Sequence, residues 1–392
     1  MEYHACWDGD PAAPRQPERR GESGVDGPIS PLLQHAMPGL HDTHAAITSG
    51  ERRGPAAALA RAALWWGQVP YGLAVATRNR LFDAGIRRVT RVPVPVVVVG
   101  NLSVGGTGKT PCVEYVARHY RTAGIAVAVL SRGYGSESGP NDETLVLEEN
   151  LPDVPHLQGA DRVALALTAL EELQSELLVL DDGFQHRRLH RDLDLVLLDA
   201  TRPFDRDWLL PRGLLREPAG SLKRADAVIL TRCDQTSPES VARQRAVLAR
   251  RFPKLPVAEA VHAPVELAGP GGVTAPLDLV RGRPVLAFCG LGNPAAFRAT
   301  LTQLGASVTE FVTFPDHHPY TRDDVERLRA LAEKLPADGL ALTTQKDSVK
   351  LRLGELAGRP LWAVRVGLRF RAGEAELAAL LDTLTPEGSR DE

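Results

Sequence analysis

The sequence predicts an α/β protein: a parallel-sheet domain built around a phosphate-binding loop, then a second, smaller α/β domain, with an apolar helix ahead of both. Three observations carry that expectation. Between residues 93 and 235, short apolar runs alternate with stretches of helical spacing. A glycine-rich loop, Ser103-Val-Gly-Gly-Thr-Gly-Lys109-Thr110, joins the first run to the first helical stretch. The alternation then restarts at residue 284, after a stretch rich in Pro and Gly. The chain has 392 residues, 43% of them hydrophobic and 24% charged, enough for two domains with separate cores.

The bulk numbers exclude several classes. A formal net charge of −3 leaves no global basic field of the kind that gathers nucleic acid, so no nucleic-acid partner is expected. Cys6, Cys112, Cys233 and Cys289 are scattered and form no CxxC pair, which argues against a zinc site or a disulfide framework. A reducing, cytoplasmic setting is expected on that ground. Residues 1–10 are acidic with no apolar segment behind them, so no secretory signal is expected. Residues 1–54 are rich in Pro, Gly and charge without apolar period, and read as a disordered extension or as a start codon placed too early.

Residues 55–91 differ in character. Between Ala62 and Ala76 only Gln68 is plainly polar, although Gly67 and Pro70 interrupt the run. This is shorter than the roughly 20 apolar residues of a spanning helix. Trp65, Trp66 and Tyr71 lie inside it, and Arg78, Arg80, Arg87, Arg88 and Arg91 come after it with Asp83 the only acid. Such a segment suits either a membrane interface or a helix packed on the protein's own core. Beyond it, strands are expected at 94–100, 125–131, 177–181, 193–199 and 227–231, with helices from the glycine loop to about 121, at 163–173 and at 236–252. The domains expected are 92–254 and 283–385, linked by 255–282. The second carries strands at 284–289, 307–311 and 339–343 and helices at 295–304 and 322–335.

The strongest motif is the loop itself, and it makes the first domain one of P-loop NTPase type. Glycines at 105, 106 and 108 let backbone N–H groups turn toward phosphate oxygens, and the helix after them adds its positive end. Ser103, Val104 and Thr107 complete the cradle. Lys109 reaches the β- and γ-phosphates, and Thr110 ligates magnesium. The strict GxxxxGK[ST] pattern wants Gly where Ser103 stands. The Gly105–Thr110 core resembles instead the GGxGK[ST] loops of dethiobiotin synthetases, metal-insertion GTPases and ParA-like ATPases. Asp181, at the end of an apolar strand, is the expected second magnesium ligand, with Asp182 and Gly183 next in the chain. Asp199 ends another strand and is expected to cap a helix.

Further blocks narrow the reading: VPVVVVGNLSVGGTGKT at 94–110, SRGYG at 131–135, DDGFQH at 181–186, LPRGLLRE at 210–217, FPDHH at 314–318 and TTQKDSVK at 343–350. In order and spacing they resemble the tetraacyldisaccharide 4'-kinase (lipid A 4'-kinase) family over about 55–385. The resemblance implies two α/β domains with the active site between them, ATP and Mg2+ as cofactors, and a lipid A disaccharide-1-phosphate acceptor phosphorylated on its 4'-hydroxyl. It also implies an N-terminal helix in peripheral contact with the cytoplasmic face of the inner membrane.

The resemblance assigns roles as well. The family's catalytic Asp lies in a GDEP-like block, which matches Asn141-Asp142-Glu143-Thr144 here, so Asp142 is the implied base. The flanking Gly and Pro of that block are absent. His317 is the implied dyad partner, with His318 one register away. Arg216 would clamp phosphate oxygens and Glu217 complete the magnesium shell. Gln185 and His186, after Asp182, would line the nucleotide and acceptor pocket. Lys346-Asp347 reads equally well as structural.

Three rivals compete. A P-loop ATPase or GTPase switch fits the loop, and Thr231-Arg232-Cys233-Asp234 faintly matches the guanine-reading [NT]KxD pattern with Arg for Lys. Val104, however, stands where ParA-like loops carry a signature Lys. A metal phosphoesterase would use Asp316-His317-His318 but needs further acid and His clusters that the sequence lacks. A membrane-surface adaptor would leave the nucleotide loop unexplained.

Overall fold

The structure, a computed structural model, describes residues 53–133, 142–316 and 318–385. Of the extension expected over 1–54, residues 1–52 lie outside these. In chain order the elements are α1 Pro55–Asp83, β1 Val96–Asn101, α2 Lys109–Thr122, β2 Val127–Ser131, α3 Asp142–Asn150, β3 His156–Gln158, α4 Arg162–Glu171, β4 Leu177–Asp181, β5 Leu193–Asp199, β6 Ala227–Thr231 and α5 Pro238–Arg251. The second half adds β7 Val257–Ala268, β8 Thr274–Ala275, β9 Pro284–Cys289, α6 Pro294–Gln303, β10 Ser307–Thr313, α7 Arg322–Ala332, β11 Leu340–Thr344, α8 Gln345–Leu351, β12 Glu355–Leu356, β13 Arg359–Ala372 and α9 Glu374–Asp382.

The strands form one sheet of order β10-β9-β11-β13-β7-β6-β5-β1-β4-β2-β3, with β8 and β12 paired at the side. Its two blocks are parallel within themselves. They meet at the long antiparallel ladder of β7 and β13, from Ala363 opposite Ala268 to Ala372 opposite Glu259. The stretch 255–282, expected to link two α/β units, therefore carries a twelve-residue strand. Its apolar residues alternate with Glu259, His262 and Glu266, a half-buried pattern that its prolines and flanking glycines hide in the sequence.

Burial explains why the central strands read so clearly. All six residues of β1 are buried. Val97 and Val99 face α2 through Cys112, Val116 and Tyr120, while Val96 and Val98 face α4 through Ala166 and Ala169. A strand covered on both faces has no polar position to spare, so it appears as a continuous apolar run. The second block repeats the plan. Val285, Ala287 and Cys289 of β9 meet Phe297 and Leu301 of α6, and Leu286 and Phe288 meet Leu328 and Ala332 of α7. Each fully buried Val, Leu or Phe contributes roughly 1.5–3 kcal/mol.

Helix α1 is continuous over 29 residues with Pro70 inside it. Two of its glycines explain its docking. A Cβ at Gly67 would lie 3.1 Å from Pro211, and one at Gly72 would lie 3.0 Å from Leu209. The chain at the start of the Leu210–Glu217 block thus packs directly on the helix backbone. The opposite face of α1 is open: Leu59, Trp66 and Leu73, each two turns apart, are 72%, 68% and 64% exposed. Among the described residues no helix is long and apolar enough to cross a membrane.

Candidate active site

The phosphate loop hangs between β1 and α2, as its sequence context requires. Gly105 (φ +106°) and Gly108 (φ +86°) occupy backbone conformations that a Cβ would oppose. Gly108 is held in a second way. A Cβ there would fall 1.9 Å from Nε2 of His262 on β7, so the imidazole rests against the bare glycine. Burial holds that imidazole neutral, its pKa lowered to about 4. The loop's inner side is tied by side chains. Asn101 Nδ2 donates to Thr107 Oγ1 at 3.0 Å, and Thr231 Oγ1 donates to the Thr107 carbonyl at 2.9 Å. Arg232 reaches the Gly106 carbonyl and pairs with Asp199 at 2.7 Å.

The loop's other flank is the 214–217 strap. Val104 N donates to Leu214 O at 2.8 Å, Arg216 N donates to Leu102 O at 2.7 Å, and Ser103 bridges Leu215. This pairing accounts for the tolerance of Ser103 where the strict motif wants Gly. The residue is held in a short β-bridge and not in a glycine-only turn. The strap also delivers the Arg216 guanidinium to Asp182, 2.8 and 2.9 Å from the two carboxylate oxygens. Lys109 approaches Asp182 from the loop at 3.6 Å.

Asp181 and Asp182 divide the work by environment. Asp181 ends β4 directly beside Val99 of β1. Its Oδ1 is buried without a hydrogen-bond partner. Burial pushes its carboxyl up to about 7, against the pull of Lys109. Asp182 is also buried, but Lys109 and Arg216 outweigh that and hold it below the usual carboxylate range. Its backbone sits at φ +53°, at the corner where the chain leaves β4. Two residues on, Phe184 lies against Gly100, where a Cβ would come within 2.6 Å. Gln185 spans the same corner, donating to Asn101 O at 2.9 Å and facing Arg216 at 3.4 Å.

These groups suit a magnesium nucleotide. Thr110 stands one residue into α2. Asp181 supplies an oxygen with nothing to satisfy it, and a divalent cation would reverse the burial that now protonates it. A cavity of about 240 Å³ opens here. Gly105, Gly106, Lys109, Asp181, Asp182 and Arg216 line one side, and Ser131, Arg132, Glu143, Thr144 and His156 the other.

Asp142 is the first residue of α3, whose next two residues line that cavity. Its carboxylate lies 3.4 Å from Nζ of Lys350 on α8. Beside it Glu143 meets Lys346 at 3.2 Å, and Gln345 bonds Glu149 and Asn150 at 3.0 and 2.6 Å. The second block thus touches the first through α8. His317 and Asn141 lie outside the described residues. His318, the neighbouring register, donates from Nε2 to Asp324 Oδ2 at 2.8 Å and stacks on Phe314, which makes it part of the α7 cap.

Three expectations need correction. Glu217, expected on magnesium, has both oxygens engaged: Arg78 at 2.6 Å on one, Asn79 at 3.0 Å and Arg224 at 2.9 Å on the other. Burial opposes its charge, and Arg224, Ser221 and Arg78 outweigh that to lower its pKa. It fastens α1 to the strap, helped by the Tyr71 hydroxyl on Arg216 O at 2.9 Å. His186, expected in the pocket, does not line the cavity; burial, then Arg162, Arg191 and Arg188, lower its pKa to about 4. Asp199 caps a turn through Thr201 N at 2.9 Å and pairs Arg232, and caps no helix. Sequence reasoning does not anticipate the contributions of Arg232, Thr231, His262 and Asn101. Only the Thr231–Asp234 likeness to a base-reading motif points to that corner, and there Arg232 holds the loop.

Comparison with known proteins agrees with this geometry. A family model described as tetraacyldisaccharide-1-P 4'-kinase matches residues 60–385. The chain is 42% identical over 360 residues to the tetraacyldisaccharide 4'-kinase of Anaeromyxobacter dehalogenans strain 2CP-C, covering 86% of this chain and 94% of that one. It is 44% identical over 301 residues to that of Geobacter metallireducens, covering 72% and 86%. A crystal structure of LpxK from Aquifex aeolicus in complex with ATP superposes with a TM-score of 0.68 at 32% identity, over 83% of this chain and 99% of that one. A phosphate loop strapped by an LPRGLLRE segment, and matches across nearly all of residues 60–385, make the chain a member of the tetraacyldisaccharide 4'-kinase family.

Proposed function

We propose that this chain transfers the γ-phosphate of ATP to the 4'-hydroxyl of tetraacyldisaccharide 1-phosphate, with Asp142 as the base. The observation that supports this reading most is the convergence of Lys109, Asp181, Asp182 and Arg216 on one cavity that is also lined by Glu143 and Thr144, the two residues that follow Asp142. Bound magnesium would be held by Thr110 and Asp181 and would neutralise charge on the β- and γ-phosphates. Lys109 and the loop N–H groups would align those phosphates. Arg216, fixed by Asp182, would meet the negative charge that gathers on the transferring group. The Asp142 carboxylate takes the proton of the 4'-hydroxyl as its oxygen bonds phosphorus, and the β–γ bridging bond breaks toward ADP. His317 completes a dyad with Asp142 in this reading.

The acceptor carries four acyl chains, so it must be met at a lipid surface. Helix α1 supplies an apolar stripe of Leu59, Trp66, Val69 and Leu73, all exposed, with Arg87, Arg88 and Arg91 behind it. That combination suits the plane of a membrane interface with anionic headgroups, here the cytoplasmic face of the inner membrane. The switch ATPase reading has less support, because Arg232 is committed to the loop and cannot read a base.

The test is transfer itself. Purified protein is incubated with γ-labelled ATP, magnesium and tetraacyldisaccharide 1-phosphate in mixed micelles. Label on the lipid supports the reading. Label released only as inorganic phosphate, at a rate indifferent to the lipid, would return the chain to the switch class.

A further inference from the structure

The TTQKDSVK block retains two features that the transfer chemistry leaves unused. Asp347 of α8 is wholly buried, and its Oδ2 accepts from Gly290 N at 3.0 Å and from Thr344 Oγ1 at 2.5 Å. Its Oδ1 has no aligned hydrogen-bond donor and faces Nζ of Lys350 at 3.3 Å. The same Nζ lies 3.4 Å from Oδ2 of Asp142. Lys350 Nζ is buried, and the ring of Tyr320 sits 5.5 Å away. An ammonium without aligned bonds is thus held between two carboxylates by charge, one anchored in the second block and the other opening α3.

We propose that Lys350 is a positioning residue for the reaction: anchored by Asp347, it orients the Asp142 carboxylate. This rests on reading Asp142 as the base. The buried ammonium has no solvent-facing surface with which to touch substrate, so it acts through Asp142. At about 4 Å the attraction between an ammonium and a carboxylate is strong enough to fix the carboxylate's direction. The other groups facing this corner are the Glu143–Lys346 pair, Asp347 and the Tyr320 phenol, whose pKa is raised by burial and by Asp347. Among the described residues, Glu143 and Lys346 offset each other and the phenol stays neutral, and Lys350 places its ammonium 3.4 Å from the Asp142 carboxylate. In a loose transition state the hydroxyl needs orientation more than a strong base, so the direction of the Asp142 carboxylate is what Lys350 supplies.

The experiment measures kcat and KM of lipid phosphorylation for Lys350→Met, Lys350→Arg, Asp142→Asn and the Lys350→Met/Asp142→Asn pair. Lys350→Met should lower kcat about 10–100-fold, the scale of a misplaced group, with KM for ATP within about threefold. Arg at 350 should recover most of the loss. In the Asp142→Asn background the same change should cost less than about threefold, since coupled residues are not additive. If Lys350→Met strands Asp347 and fails to fold, Lys350→Met/Asp347→Asn removes the buried charge and is read in its place. An undiminished cost in the Asp142→Asn background, or no recovery with Arg at 350, overturns the proposal. Near-wild-type transfer by Asp142→Asn would instead sink the base reading itself.

Discussion

The two walls of the cavity are built by different means. On the nucleotide wall, strand pairing and main-chain bonds do the holding: Leu102, Val104 and Arg216 share backbone hydrogen bonds, and Thr107 is fixed from Asn101 and Thr231. On the wall opposite, α3 meets α8 through side chains: the half-exposed Lys346–Glu143 pair, the buried Gln345–Asn150 bond and the buried Lys350 ammonium beside Asp142. Exposed pairs contribute about 0–1 kcal/mol each, whereas a buried backbone bond cannot be given up without leaving a polar group stranded. The phosphate side is therefore preorganised, while on the α3 side the half-exposed Lys346–Glu143 pair is a contact that can rearrange at small cost.

That contrast can be broken, and the largest effect is expected at Glu217. Replacing it with Ala strands Arg78 and Arg224 and should cost about 3–5 kcal/mol, the scale for breaking a buried pair. Urea titration checks this. Unchanged stability with a raised magnesium requirement would return Glu217 to the metal shell. Next comes Gly108→Ala. The left-handed backbone costs about 1–3 kcal/mol, and the new methyl also strikes His262. Adding His262→Ala should restore the part due to the clash but not the torsion, as read from thermal unfolding and nucleotide affinity.

A smaller effect is expected from pH. Asp181 keeps its proton in the native state up to about 7, whereas an unfolded Asp releases it near 3.8. The native state then binds more protons than the unfolded one, so this group's contribution falls as pH rises from about 4 to about 7. Asp194, also raised to about 7 by burial, adds the same sign elsewhere. Asp181→Asn without nucleotide should therefore gain on wild type across that window, and the gain should vanish when magnesium nucleotide is bound to wild type. A constant difference at all pH values would contradict the assignment. The smallest effect on stability, within about 0.5 kcal/mol, should come from Trp66→Ser/Leu73→Ser on the open face of α1. Sedimentation with anionic vesicles should nonetheless lose most of the bound protein; undiminished binding would remove α1 from the membrane contact.

The same contrast governs what can be read from the sequence. β4, β5, β6 and β9 lie where their apolar runs predict, because strands buried on both faces carry an uninterrupted signal. β13 escapes that pattern, since Arg365, Arg369 and Arg371 punctuate it and it is half exposed. α3 escapes it because DETLVLEEN has too weak an apolar stripe to stand out. In the site, local chemistry is legible: the glycines, Lys109 and the strand-end Asp181. Partners chosen by topology are not. Glu217 bonds Arg78 across 139 positions, and Thr231 reaches Thr107 across 124, distances at which a motif says which residue is present but not what it touches.

In the proposed mechanism phosphate binding and acceptor activation reside on separate walls, and Asp142→Asn tests that division most directly, by nucleotide affinity and rate of label transfer measured on one preparation. The expected result is an ATP dissociation constant within about threefold of wild type and a transfer rate lower by about 10²–10⁴, the range of a lost general base. A variant that loses ATP affinity in step with transfer would contradict the division, and would place Asp142 with the phosphate loop.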